Sequence, residues 1–333
     1  MSQRGFRLRV KPAMTSVDVW EGVEHMWQYA VKRFVNLIPI LIGTTFVVFM
    51  VLHLSPGDPA TFSLSGPPEP IDVWRERHGL NDHVLTQYIR YISGVFTGDL
   101  GISFRGRETP IAPTVIQHLP YTLLLSLASL LIAFISAIPI GIATAIKKNA
   151  WINKACMFIA LIGISAPVFW VGLFLVLFFA LRLEWLPPSG AEGWNSVILP
   201  SIALGSGILF AMVRSIRSSF IDIMEQDYIR TAHAKGLSSS NVIRKHALRN
   251  AIMPILKGFS ANLSAFFTSI VLVEIVFARP GISRLFIQGV FARDYPMVLG
   301  CIVMFVLLYA IMNLLIDIAQ ALIDPRIRAQ YNK

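Results

Sequence analysis

Apolar residues in this chain gather in long blocks rather than alternating with polar ones. Six blocks approach the roughly 20 residues that cross the hydrocarbon core of a bilayer: Phe34–Leu54, Pro120–Ile146, Ala155–Leu181, Val197–Val213, Gly258–Ala278 and Met297–Ile318. Backbone in lipid must satisfy its own hydrogen bonds, so each block reads as a helix. The fourth is the weakest, being short and interrupted by Pro200, Gly205 and Gly207. Pro139 and Pro167 lie inside the second and third, and kinks are predicted there, because proline lacks the N–H and crowds the preceding turn. The pattern predicts an all-α membrane protein with six transmembrane helices.

Polar segments separate the blocks. Residues 55–119 open with Ser55-Pro-Gly-Asp-Pro59 and stay turn-rich through Pro70; a helix is then expected over Asp72–His78. A second is expected over Asp82–Phe96, where Val84, Leu85, Tyr88, Ile89 and Ile92 keep helical spacing. Gly98-Asp-Leu-Gly-Ile-Ser103 ends it as a turn, giving a small packed subdomain. Arg182–Ser196 is a short connection. In Arg279–Tyr295, Pro280-Gly281 turns the chain and Ile282–Phe291 is expected to form a helix across the mouth of the bundle.

The connection between the fourth and fifth blocks, residues 214–257, is polar yet helix-forming. Asp227–Lys235 reads as a short amphipathic helix, with Tyr228 and Ala232 in one stripe and Ile229 and His233 in the next. Gly236 breaks it, as glycine does where a left-handed residue is needed. Ser238–Asn241 offers caps for a second helix, which would align Val242, His246 and Asn250 and present Arg244, Lys245 and Arg249. Such a loop suits either a docking element or a solvated, lipid-surface connector.

Composition agrees with the membrane class. Hydrophobic residues make up 55% of the 333 and charged ones 14%, against about 25% charged in soluble domains; mean hydropathy is +0.62. The net charge of +10 raises the question of nucleic acid, but its placement answers it. An even number of spans puts both termini on one side. That side holds Arg4, Arg7, Arg9, Lys11, Lys32, Arg33, Lys147, Lys148 and Lys154, the basic residues of 214–257, and Arg326, Arg328 and Lys333. The positive-inside rule makes it the cytoplasm; no nucleic-acid partner is expected, only membrane lipid. Residues 1–33 are then a cytoplasmic extension, 34–54 the first span and 55–119 an outer subdomain. Residues 120–323 form the main membrane domain and 324–333 a cytoplasmic tail. Residues 1–25 lack the features of a signal peptide, and Met26-Trp-Gln-Tyr-Ala-Val-Lys-Arg-Phe34 reads as an alternative start, 1–25 being a disordered extension or an upstream start assignment.

Catalytic chemistry finds no purchase. The chain contains no G-x-x-x-x-G-K-[ST] loop, no H-E-x-x-H and no G-x-S-x-G. Cys156 and Cys301 fall in different blocks and read as small apolar packing. His78 and His83 share the outer subdomain without further metal ligands and read as structural. Glu274, at the outer end of the fifth block, and Asp317, in the inner half of the sixth, are the acidic groups within or near spans. Their depths differ too much for a proton relay, and local hydrogen bonding is expected of both. No metal, cofactor or catalytic residue is expected.

Arg230-Thr-Ala-His-Ala-Lys-Gly236, with Leu248 and Pro254 downstream, resembles the "EAA" loop of binding-protein-dependent ABC importer permeases. Ala232, Gly236 and Leu248 fall on that pattern, while Arg230, Thr231, His246 and Arg249 depart from it. The departures, with Ser55-Pro-Gly-Asp-Pro59, Gly98-Asp-Leu-Gly-Ile-Ser103, Pro280-Gly281, Arg293-Asp-Tyr-Pro296 and Asp324-Pro-Arg-Ile-Arg328, are similar to the dipeptide/oligopeptide/nickel branch. The resemblance implies the type I ABC importer permease fold in a bacterial inner membrane. It implies a non-catalytic subunit paired with a second, homologous permease, two cytoplasmic ABC ATPases and a solute-binding protein outside. The cargo it implies is a di- or oligopeptide, with nickel or another small solute as the alternative. It assigns ATPase coupling to Asp227, Tyr228, Ile229, Arg230, Thr231, Ala232, His233, Ala234, Lys235, Gly236, Leu248, Arg249 and Pro254. An ion-coupled secondary transporter would need an inward-facing relay of acids or histidines, which these spans lack.

Overall fold

The computed structural model describes residues 16–57, 59–62, 70–105, 109–146 and 150–323. Helices account for nearly all of them, and an isolated antiparallel bridge joins Ile102 to Pro110. Helix α1 (Ser16–Leu54) is followed by the shorter α2 (Pro59–Phe62), α3 (Ile71–Arg77) and α4 (Val84–Thr97). Then come α5 (Ile111–Ile146), α6 (Ala150–Ser165) and α7 (Val168–Leu175), the last running on as a π-helical segment to Arg182. Helix α8 (Ile198–Met224) leads into the short α9 (Asp227–Ala234) and α10 (Ser239–Asn241). A π-helical turn, Val242–Ala247, joins α10 to α11 (Leu248–Val276); α12 (Ile282–Ala292) and α13 (Tyr295–Ile323) complete the fold. The tail 324–333 and residues 1–15 lie outside the described residues. Helix α1 runs without a break through Met26.

Among the described residues, five helices are long and apolar enough to span a bilayer, or six where a bent pair counts as one span. The third block is that pair. Asn153–Ser165 and Val168–Arg182 meet at 102°, a far sharper break than the predicted kink. Pro167 has no N–H to continue the ladder, and the residue before a proline is pushed out of the helical region. Pro139, in contrast, sits inside the continuous α5.

The fourth block, weakest in the sequence, is the most enclosed span: over half of its apolar window is buried. Its glycines explain this. Lipid tails are as apolar as leucine, so spans associate through close packing, and small residues permit it. On α5, Ser129, Ala133, Ala137 and Gly141 recur every fourth residue, and all are buried. Gly205 of α8 lies so close that a Cβ there would sit 2.9 Å from the Ser129 carbonyl oxygen. A Cβ on Gly141 would sit 2.7 Å from Ile216. Leu125, Leu204, Met212, Leu263, Phe266 and Ile270 fill the core among α5, α8 and α11.

Helix α4 is pinned to α1 and α13. The Tyr88 hydroxyl of α4 donates to the Ile42 carbonyl at 2.7 Å and lies 3.0 Å from Thr45 Oγ1. His83 caps α4, its Nδ1 accepting from Leu85 N. His78 stacks on Trp74 with centroids 4.2 Å apart and packs edge-on against Phe104. Both histidines thus have structural work. Cys156 is half-buried and Cys301 buried, each with a free thiol.

Candidate functional site

The stretch read as a loop is narrower and more helical than its polarity suggested. Arg214–Met224 continues α8, and residues 248–257 are already α11. The span containing α11 runs from Ser239 to Val276, 38 residues, or about 57 Å at 1.5 Å per residue. That exceeds the roughly 30 Å bilayer core, so the helical run is longer than one crossing needs. Between the two arms lies α9.

Helix α9 ends as its sequence requires. Gly236 has φ +79°, the left-handed conformation, with no atom within 4 Å of a would-be Cβ. Its N–H donates to the His233 carbonyl at 2.9 Å and the Leu237 N–H to the Ala232 carbonyl at 3.3 Å. This is the Schellman arrangement with glycine at C′. Glycine is demanded here by backbone angle, not by space. Ser238 then caps α10, its Oγ accepting from Asn241 N.

The stripes of α9 differ from the expected pairing. Ile229 and Ala232, one turn apart, are buried against Phe220, Val242, Ala247 and Ala251. Asp227, Tyr228, Arg230, Thr231, His233, Ala234 and Lys235 are exposed. The anchor is therefore the i, i+3 pair Ile229/Ala232, while Tyr228 and His233 face outward. The face expected of Val242, His246 and Asn250 also shifts: Val242 is buried, His246 half-buried and Asn250 exposed. The π-helical turn is the reason, since an i→i+5 ladder brings Val242 and Ala247, five apart, to the core together.

Tyr228 ties the two arms. Its hydroxyl accepts from Asn250 Nδ2 at 3.1 Å, and that amide also donates to the His246 carbonyl at 2.9 Å. Tyr228, Arg249 and Pro254 share a groove of about 950 Å³ with Asp222, Gln226 and Ile323. Leu248 is half-buried outside that groove. The site is thus a short, exposed helix, seated on the bundle by two apolar residues and bordered by a groove at the ends of α8, α11 and α13. It holds no nucleophile or acid–base pair, and the described residues contain no group of three or more metal-ligating side chains.

Three buried charges at the opposite end escaped the sequence reading in whole or in part. Glu274 is fully buried: its Oε1 accepts from Thr122 Oγ1 at 2.6 Å and its Oε2 from Ser283 N at 2.9 Å. Arg279 Nη1 donates to the carbonyls of Gly190 and Ser196 at 3.3 and 3.2 Å. Burial lowers its pKa, and the Glu274 carboxylate opposes that shift. Asp294 accepts from Ser103 Oγ, Phe104 N and Met297 N. Burial pushes its carboxyl above the usual carboxylate range, against those donors. The signals are that Arg279 directly precedes Pro280-Gly281 and that Asp294 lies within Arg293-Asp-Tyr-Pro296.

Residues 137–329 match the binding-protein-dependent transport system inner membrane component, and residues 26–128 match the N-terminal region of the same class of membrane component. The glutathione transport system permease protein GsiC of Shigella flexneri serotype 5b (strain 8401) is 38% identical over 306 residues, covering 91% of this chain and 99% of its own. GsiC of Escherichia coli (strain K12) matches with the same identity and coverage. The MetNI methionine ABC transporter, solved in inward-facing conformations, aligns with a TM-score of 0.49 at 17% identity, over 66% of this chain and 96% of that one.

The chain belongs to the family of binding-protein-dependent inner-membrane transport components. It is a multi-pass, all-α permease subunit of an ABC importer in the bacterial inner membrane, non-catalytic itself, working with ATPase and solute-binding protein partners.

Proposed function

We propose that this permease forms half of a pathway importing di- and oligopeptides, with short peptides of glutathione size foremost. The observation carrying this reading is the 38% identity, over nearly the whole chain, to permeases named for transport of glutathione, a tripeptide. A second, homologous permease completes the pathway. Supporting this, α11 exposes Ala261, Ser264, Ala265 and Thr268 along one stripe, whereas α5 and α7 expose Leu127, Leu131, Ile135, Trp170 and Phe174. Bulky apolar side chains suit lipid; small and polar ones suit a neighbouring helix or a wet pathway.

The exposed face of α9, with Gly236, Leu248, Arg249 and Pro254 behind it, docks on a cytoplasmic ATPase. ATP-driven closure of the ATPase pair moves α9 and, because Ile229 and Ala232 seat it against the Val242–Ala247 turn that leads into α11, the spans tilt between inward- and outward-open states. The membrane end supplies no chemistry, only two arrangements of packed helices.

The test is uptake into proteoliposomes carrying this permease, its partner permease and the ATPases, with the cognate binding protein supplied. Glutathione or dipeptides should be taken up in an ATP-dependent manner and nickel should not. ATP-dependent nickel uptake without peptide uptake would overturn the peptide assignment.

A further inference from the structure

Helix α12 lies across the outer end of the bundle, and the way it is held is unusual for a surface helix. The first N–H groups of a helix have no partner within it and are met by caps or water. Here they are met by side chains of two other helices. Ser283 N donates to Glu274 Oε2 of α11 at 2.9 Å, and Ile282 N donates to Thr122 Oγ1 of α5 at 3.0 Å. Thr122 Oγ1 in turn donates to Glu274 Oε1 at 2.6 Å. Glu274, Thr122, Ile282 and Ser283 are each at most 1% exposed.

A carboxylate at a helix N-terminus meets both the free donors and the positive end of the dipole. This one is hemmed in as well, since a Cβ on Gly281 would sit 2.1 Å from Glu274 Oε1. Gly281 has φ −90° and ψ −178°, which any residue adopts, so contact with the carboxylate is what demands glycine. The same end of α11 also holds the Arg182–Ser196 connection, through Arg279 and through Gly190 N donating to the Phe277 carbonyl at 3.0 Å.

Glu274 therefore stands at one end of the 38-residue rod whose other end carries the docking loop. We infer that Glu274 is a positioning residue for transport: its carboxylate, with Thr122, latches α12 to α5 and α11 so that a tilt imposed at α9 reaches the outer mouth. A buried two-donor carboxylate transmits such motion without slack, because breaking either hydrogen bond strands a buried donor. The role is conformational and rests on the docking reading above, since α9 is taken as the driven end.

The test uses the full transporter in proteoliposomes, with uptake and ATP hydrolysis measured in parallel. Glu274→Gln places an amide N–H₂ where a donor already points; Thr122→Val removes the hydroxyl; Gly281→Ala displaces the carboxylate without altering charge. All three should co-purify with the ATPases and hydrolyse ATP within twofold of wild type, while uptake falls more than tenfold. Thr122→Ser, which keeps the hydroxyl, should restore uptake. Uptake and hydrolysis falling together in all three, or wild-type uptake in all three, would overturn the latch. So would failure of all three to accumulate in the membrane, which would make the network a folding element only. Failure of the docking reading shows elsewhere, as unchanged ATPase co-purification in α9 variants.

Discussion

At the scale of single residues, two positions bear most on the proposed function. Gly236 occupies the left-handed region with open space around it, so any penalty for replacing it is conformational. A β-branched residue there costs on the order of 1–2 kcal/mol, whereas asparagine tolerates that region better. Gly236→Val should extend or bend α9 and lose both uptake and ATPase co-purification, and Gly236→Asn should retain most of each. Tyr228→Asp changes the docking face instead: it removes the bond from Asn250 and places a charge where the partner is expected to be apolar, a costly burial. It should behave like Gly236→Val at normal membrane levels. Wild-type uptake and co-purification in both would refute the coupling role. Asp294 gives a pH signature. A carboxyl with a folded pKa above its unfolded one contributes stability that is present below the unfolded value and is lost as pH rises through the folded one. The thermal midpoint of the purified protein should therefore fall as pH rises above about 4, the ordinary aspartate value, by more in wild type than in Asp294→Asn. Equal slopes would show that Asp294 does not titrate in that window.

At the scale of elements, glycine placement decides which spans can touch. Gly205 lets α8 reach the Ser129 carbonyl, and filling such a contact typically costs about 1–3 kcal/mol. Gly205→Val should lower the thermal midpoint in detergent, whereas Gly207→Ala, whose Cβ would meet Val168 at an ordinary 3.4 Å, should leave it nearly unchanged. The same residues show what could be read beforehand. Block length and turn signals located α3, α4 and α12 within a residue or two, because their amphipathic spacing and Pro/Gly punctuation are local. Gly205 and Gly207 weaken the fourth block in the sequence because glycine disfavours an isolated helix; the packing benefit of Gly205 depends on α5, which is far away in sequence. The extent of α8 and α11 was hidden for a related reason. Polarity marks where lipid ends, not where a helix ends, so helical arms outside the bilayer read as loop. Which face of residues 242–250 is buried depends on the π-helical turn at Val242–Ala247, and hydrophobic spacing carries no mark of an i→i+5 ladder. Arg279 and Asp294 fall in a connection between blocks, where no local signal marks a charge for burial, yet the fold encloses both.

At the scale of the whole molecule, the functional reading requires a particular orientation in the membrane. Docking of α9 on a cytoplasmic ATPase demands that residues 225–247 lie inside, and the placement of basic residues argues the same. If the bent pair α6–α7 crosses the bilayer as one span, the number of crossings is even and the two termini share that side. If the pair enters and leaves by the same face, the connection at Glu192 lies on the same side as residues 147–149. The 102° bend makes this a real alternative. Two features argue for a crossing. The halves together are as long as a span, and Gly190 N reaches the Phe277 carbonyl while Arg279 reaches Gly190 and Ser196, so the connection lies at the same end of the bundle as the mouth helix α12. Reporter fusions should accordingly score outside at Gly66 and Glu192, and inside at Asn149, Ser239 and Lys333. An inside score at Glu192 would sink the six-span arrangement, and with it the placement of the Glu274–Arg279 cluster at the outer mouth. An outside score at Ser239 would separate α9 from any cytoplasmic ATPase and end the coupling proposal.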